Sequence, residues 1–253
     1  MRKYIFILIV LIGAGLLSCS NGVDVNEIIN KNFEARGGKD FSAVKSIVQI
    51  GSAKATMFSM NFRLMMVPPD KIKYEITSGG KEVITIINGD QGWQIDSIAK
   101  PLSAQNREII KSNMKNQNKT FENELFNYKE KSYTAEYAGD DTVDGKDVYL
   151  VKLTTPDSTS ITYYISKDNY LELKSVSEFE ANGQKLKQII IYSDYKDVDG
   201  FVIPHKWSYY VRDGHNPDRL MQELSYSKIE LNTILGDELF AKPDNLQLSD
   251  ATK

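Results

Sequence analysis

Phe58-Ser59-Met60-Asn61-Phe62-Arg63-Leu64-Met65-Met66-Val67, the turn Pro68-Pro69-Asp70, and Lys71-Ile72-Lys73-Tyr74-Glu75-Ile76 form the stretch that decides the fold. Phe58, Met60, Phe62, Leu64 and Met66 share one parity, and Ser59, Asn61 and Arg63 share the other with Met57 and Met65. A period of two over this length is a strand with one buried face. The proline pair and aspartate mark a turn. Ile72, Tyr74 and Ile76 then alternate with charged residues, so two strands lie antiparallel.

The same pattern spreads in both directions. Strands are expected near 44–52, 55–67, 71–78, 81–88 and 91–98, separated by Gly79-Gly80 and Asn88-Gly89. A second set falls near 132–138, 146–155, 159–166, 170–180, 184–196, 201–212 and 219–231. Its turns are Asp144-Gly145, Asn182-Gly183, Asp199-Gly200 and Asp213-Gly214. Ile84 and Ile86, then Trp93 and Ile95, continue the apolar parity, with Trp93 either lining a cavity or stapling its hairpin.

Two helical patterns interrupt the strands. Asp24 with Glu27 resembles a capping box, Val25, Ile28, Ile29 and Phe33 share one face, and Gly37-Gly38 stops the helix near residue 36. One or two helices are expected between 103 and 128, with Ser103 as the candidate N-cap. Ile109, Ile110 and Met114 follow at helical spacing, with Phe121, Leu125 and Phe126 beyond them. Residues 236–253, with Leu239, Phe240 and Pro243, read as one docking turn and a frayed end. The expected class is α+β, mainly antiparallel β. It is a single curved sheet of about eleven strands, too many to stay flat, with helices covering the concave face.

The N-terminus reads as an export signal. Arg2 and Lys3 precede an uncharged run from Tyr4 to Leu17, shorter than the roughly 20 residues that span a bilayer. Leu16-Leu17-Ser18-Cys19 resembles the lipobox of bacterial lipoproteins. The resemblance implies cleavage before Cys19 and acylation of its thiol. The expected division is a signal over 1–18, a lipidated tether over 19–23 and one domain over 24–253. Cys19 is the only cysteine, so the fold does not rest on a disulfide. Removing Arg2 and Lys3 with the signal leaves 29 basic against 34 acidic residues, a net of −5. That balance argues against nucleic acid, which needs a basic patch.

Catalytic signatures do not stand out. His205 and His215 lack the spacing of a zinc helix, and His205, after Pro204, reads as a surface or hairpin polar residue. There is no G-x-S-x-G elbow and no glycine-rich phosphate loop. Asp140, Asp141 and Asp144 lack calcium-loop spacing and read as a solvated turn. The chain is expected to be no enzyme and to use no cofactor and no metal.

Three segments carry a family resemblance. Phe58 to Phe62 with Pro68 to Glu75 is similar to an apolar strand and turn of the LolA/LolB-like superfamily of bacterial outer-membrane lipoprotein-sorting carriers. Asn88-Gly89-Asp90-Gln91-Gly92-Trp93-Gln94-Ile95-Asp96 resembles that family's tryptophan hairpin. Tyr195 to Pro204, with Asp199-Gly200, resembles a late hairpin. The resemblance implies an incomplete β-barrel with a helical lid over a hydrophobic cavity that holds acyl chains. On that reading Phe58, Met60, Phe62, Leu64, Met66, Ile72, Tyr74, Ile84, Ile86 and Trp93 line the cavity, or else form plain core. Ile109, Ile110 and Met114 form the lid's underside. Arg63 either orients the lid or faces water. The implied protein is a monomeric, lipid-anchored member at the outer membrane facing the periplasm, binding an acyl chain or lipidated protein. The alternatives are an envelope sensor or protein-binding module on the same fold, and an envelope hydrolase.

Overall fold

The computed structural model describes residues 23–244 other than 120, 122, 123, 182 and 215. The signal, Cys19 and His215 lie outside the described residues. Helix α1 (Val25–Ala35) begins where the Asp24 carboxylate accepts from the Asn26 backbone N–H, and it buries Ile28, Ile29 and Asn32. It stops at Gly37 and Gly38, at φ of 104° and 63°. A 3-10 turn, Phe41–Ala43, leads into the sheet.

Among the described residues, thirteen strands form one antiparallel sheet that does not close. The N-terminal half is β1 (Ile47–Ala55), β2 (Ser59–Val67), β3 (Lys71–Ser78), β4 (Lys81–Asn88), β5 (Gln91–Ile95) and β6 (Ala99–Pro101). Helix α2 (Ala104–Lys119) and a run of turns cross to the second half. That half is β7 (Thr134–Val143), β8 (Lys146–Thr154), β9 (Ser160–Ser166), β10 (Glu172–Ala181), β11 (Gln184–Val198), β12 (Phe201–Asp213) and β13 (Arg219–Leu231). Each half is a meander, and β1 pairs with β13 to join them, leaving β6 and β7 as the edges.

The expected class and the helical placement agree with this architecture, but the strand number does not. The sheet gains β6, whose three residues are too few to show a period. α2 begins as read, with Ser103 Oγ accepting from the Asn106 N–H at 3.1 Å. The C-terminal docking turn is a 3-10 segment, Asp237–Phe240, whose Phe240 is fully buried.

The sheet is covered on both faces in its N-terminal half. On the inner face the largest cluster joins Phe62, Leu64, Met66 and Ile72 to Trp207, Leu224, Tyr226 and Phe121, with α2 above them. On the outer face Val48, Met65, Ile86 and Trp93 pack around Phe240. A third cluster seats Ile28 and Ile29 of α1 on Val151, Leu153, Tyr163 and Ile165. This two-sided burial explains why Met65 breaks the simple alternation of β2: each parity has its own apolar partner.

Candidate ligand site on the inner face

Strand register assigns the inner-face residues. Across β1, β2, β3 and β4, one rung is Ile47, Met66, Ile72 and Ile87, and the next is Gln49, Leu64, Tyr74 and Thr85. A third is Gly51, Phe62, Ile76 and Val83, and Ala53 faces Met60 beyond it. From the other half, Tyr226 lies opposite Gly51, and Leu224 lies opposite both Ala53 and Trp207.

The depth of this face is filled. Leu64 and Trp207 are wholly buried, and Phe62, Met66, Ile72, Phe121 and Tyr226 nearly so. Phe121 lies 5.2 Å from the Trp207 ring and 5.6 Å from the Tyr226 ring, and Phe62 meets Tyr226 edge-on at 5.8 Å. Such pairs add about 0.5–1.5 kcal/mol beyond their buried area. Toward the ends of β2 and β12 the packing loosens. Met60, Tyr74, Ile190 and Tyr209 are only half-buried, and Ile110 and Met114 of α2 lie against the same cluster, also half-buried. The apolar face is therefore sealed at depth and accessible along its rim beneath α2.

The expected cavity residues divide accordingly. Met60, Phe62, Leu64, Met66, Ile72 and Tyr74 share the inner face, with Met60 and Tyr74 at the rim. Ile84, Ile86 and Trp93 do not join them. They point to the outer face, where Trp93 pairs with Ile86 and packs near Phe240. The turn Gly79-Gly80 places Val83, not Ile84, beside Ile76, so the inner parity of β4 is the odd one. Phe58 precedes β2 and is half exposed. Ile109 is 50% exposed and points away from the sheet that Ile110 and Met114 touch.

The structure also places two polar residues that the sequence singled out. Arg63 stands opposite Glu75 on the outer face, in a shallow groove of about 450 Å³ shared with Ile50, Ser52, Asn61 and Thr77. It is exposed, which agrees with the reading in which it faces water. His205 is buried rather than superficial, with Nδ1 3.0 Å from the Ile203 carbonyl oxygen.

A buried polar network holds the lower end of the site. The Arg36 guanidinium, directly after α1, donates from Nη1 to both carboxylate oxygens of Glu172 at 3.0 and 3.1 Å. It also donates from Nε to the Val202 carbonyl and from Nη2 to the Phe121 carbonyl. The Tyr195 hydroxyl lies 2.8 Å from the Glu172 carbonyl oxygen. Tyr163 donates to Glu124, and Tyr192 shares a hydrogen bond with Ser175. Burial pushes the hydroxyls of Tyr163, Tyr192, Tyr195 and Tyr209 well above the ordinary tyrosine value. Glu124 and Glu172 add to this at Tyr163 and Tyr195 respectively. Sequence reading missed this network; the one local signal was an arginine placed just before a helix-stopping glycine pair.

Gln49 was missed as well. Its side chain is fully buried, and among the described residues neither its amide nitrogen nor its amide oxygen has a hydrogen-bond partner. Its only mark in the sequence is that it is polar at an inward position of an apolar strand. Among the described residues, no group of three or more His, Cys, Asp or Glu side chains converges to hold a metal. No helix among them is long and apolar enough to cross a membrane.

A family model described as "Uncharacterized protein" matches residues 101–246. No curated protein matches the sequence. Among solved structures, the chain is similar to a DUF1329 family protein from Desulfovibrio piger. The identity is 13%, the coverage is 86% of this chain and 97% of that one, and the TM-score is 0.47. It is also similar to a LolA superfamily protein from Nitrosomonas europaea, at 16% identity, 87% and 98% coverage and a TM-score of 0.45. A third is an outer-membrane lipoprotein-sorting protein domain from Vibrio parahaemolyticus, at 18% identity, 85% and 94% coverage and a TM-score of 0.44.

Proposed function

The chain belongs to the family whose model it matches over residues 101–246, and we propose that it is an envelope protein that binds the hydrocarbon part of a lipid or lipidated protein. The ligand lies between α2 and the rim of the inner face. The observation that carries this reading is the half-buried apolar set Met60, Tyr74, Ile190 and Tyr209 beneath Ile110 and Met114. Each methylene moved from water into such a site contributes about 0.8 kcal/mol. Some ten methylenes therefore give about 8 kcal/mol, which corresponds to a dissociation constant of about 1 μM.

The role is binding rather than catalysis. The carboxylates nearest the inner face are engaged, Glu172 by Arg36 and Tyr195 and Glu124 by Tyr163. In this reading Cys19 carries the acyl anchor, residues 19–23 form the tether, and the domain works beside the outer membrane on its periplasmic side as a monomer. Release of the ligand follows from displacement of α2, whose Ile110 and Met114 pack against the cluster.

The test is direct. Protein purified from its own membrane is extracted with organic solvent, and the extract is analysed by mass spectrometry. The reading expects acyl lipid in near-stoichiometric amount, reduced by Met60→Glu; protein free of lipid would count against it.

A second reading, as a protein-binding module, draws on β7. It is a ten-residue strand at a free sheet edge, and a free edge accepts an added strand from a partner.

A further inference from the structure

The rung Gln49, Leu64, Tyr74 and Thr85 differs from its neighbours. The rung on one side is Ile47, Met66, Ile72 and Ile87, and the rung on the other is Gly51, Phe62, Ile76 and Val83. Both are wholly apolar. Within β1 to β4 only the middle one carries side-chain hydrogen-bonding groups, and it carries three.

Those groups are unengaged. Gln49 is fully buried, and both its amide atoms are unpaired among the described residues. The hydroxyls of Tyr74 and Thr85 make no hydrogen bond among the described residues. Both residues are half-buried. A buried amide without a partner destabilises a fold, whereas an apolar group of the same shape does not. Leu64 and Ile229 face Gln49 from β2 and β13, so a leucine at 49 would suit its neighbours better. The strand spacing of about 4.8 Å puts Tyr74 about 10 Å and Thr85 about 14 Å from Gln49. The rung thus leads from the sealed interior to the rim.

We infer that Gln49, Tyr74 and Thr85 form a hydrogen-bonding track for a neutral polar group on the ligand, an acyl ester, and that Gln49 receives its carbonyl when α2 and the Phe121 segment behind it are displaced from the filled face. Gln49, Tyr74 and Thr85 carry no charge, which favours an ester over a carboxylate or phosphate at these three positions; the nearest cation on this side, Arg107, packs over Gly92, opposite Ile87, and donates to the Leu102 carbonyl oxygen. The Gln49 amide donates to a carbonyl oxygen, and Tyr74 and Thr85 offer hydroxyl donors nearer the rim. The inference rests on the proposed ligand site and specifies which part of a lipid enters it.

The experiment uses the chain from residue 20 onward, which contains both helices and all thirteen strands and has no acyl anchor to compete. Two probes are titrated by fluorescence: diphenylhexatriene, which is all hydrocarbon, and a diacylglycerol with a pyrene-labelled chain. Gln49→Leu is expected to weaken the diacylglycerol roughly tenfold and to leave diphenylhexatriene within about twofold. Tyr74→Phe is expected to shift them in the same sense by less. The ligand-free Gln49→Leu protein should melt at the same temperature as the wild type or higher. Unchanged diacylglycerol affinity overturns the inference, as does equal weakening of both probes, which would make Gln49 a shaping residue only. A lower melting temperature overturns it too, because the amide would then be serving the empty fold. Failure of diphenylhexatriene to bind the wild type is a different result and refutes the ligand site itself.

Discussion

Arg36 and Glu172, 136 residues apart in sequence, close an ion pair inside the protein in which one guanidinium nitrogen reaches both carboxylate oxygens, with side chains only 8% and 6% exposed. Arg36 and Val202 also exchange two hydrogen bonds, Nε to the Val202 carbonyl and the Val202 N–H to the Arg36 carbonyl. One side chain therefore ties α1 to β10, β12 and the segment after α2. Removing one partner strands a buried charge. Arg36→Met is expected to cost about 3–5 kcal/mol in urea unfolding, and Arg36→Met with Glu172→Leu to recover part of it. A single variant within 1 kcal/mol of wild type would show that the pair does not hold this junction.

Gly37 and Gly38 offer a matched comparison. Both have positive φ, but a Cβ on Gly37 would run into the Gly200 carbonyl oxygen, whereas one on Gly38 meets nothing within 4 Å. Gly38→Ala carries only the backbone cost of about 1–2 kcal/mol. Gly37→Ala must also push α1 off the β11–β12 hairpin and should lower the melting temperature by clearly more. Equal effects would contradict the close docking of helix and hairpin.

Much of this was legible beforehand, for a physical reason. Two-residue turns such as Asn88-Gly89 and Asp144-Gly145 mark strand ends chemically, so β3, β4 and β13 fall where their patterns place them. Face assignment was harder. Ile84, Ile86 and Ile87 are all apolar because both faces of β4 are covered, by Phe240 outside and the inner cluster within. Periodicity cannot separate two buried faces. Arg36, Glu172 and Gln49 were illegible as a site because their roles depend on partners more than a hundred residues away or on having no partner at all.

Alkaline titration follows from the buried tyrosines. Tyr163, Tyr192, Tyr195 and Tyr209 are all raised, chiefly by burial. In the unfolded chain they ionise near the ordinary value of 10.0; in the fold they stay neutral. The unfolded state then holds fewer protons, so stability is full below about pH 10 and falls above it. Each such group contributes up to about 1.4 kcal/mol per pH unit. Absorbance at 295 nm should show some of the 14 tyrosines titrating reversibly and the buried group only with unfolding. Reversible ionisation of all of them in folded protein would contradict the packing.

The proposed anchor has its own test. Cys19→Ala should move the protein from the membrane fraction to the soluble fraction and abolish labelling by a clickable palmitate analogue. Continued labelling would remove the acylated cysteine from the account.

The most direct measurement compares two adjacent residues of β2 with opposite facing. Met60 lies on the inner rim opposite Ala53, and Asn61 lies on the outer face opposite Ser52. Diphenylhexatriene uptake is followed in wild type, Met60→Glu and Asn61→Glu, with folding checked by circular dichroism. The account predicts saturable uptake by wild type and Asn61→Glu, and at least a tenfold loss in a folded Met60→Glu protein. Undiminished uptake by Met60→Glu, or none by the wild type, would contradict a hydrocarbon site beneath α2.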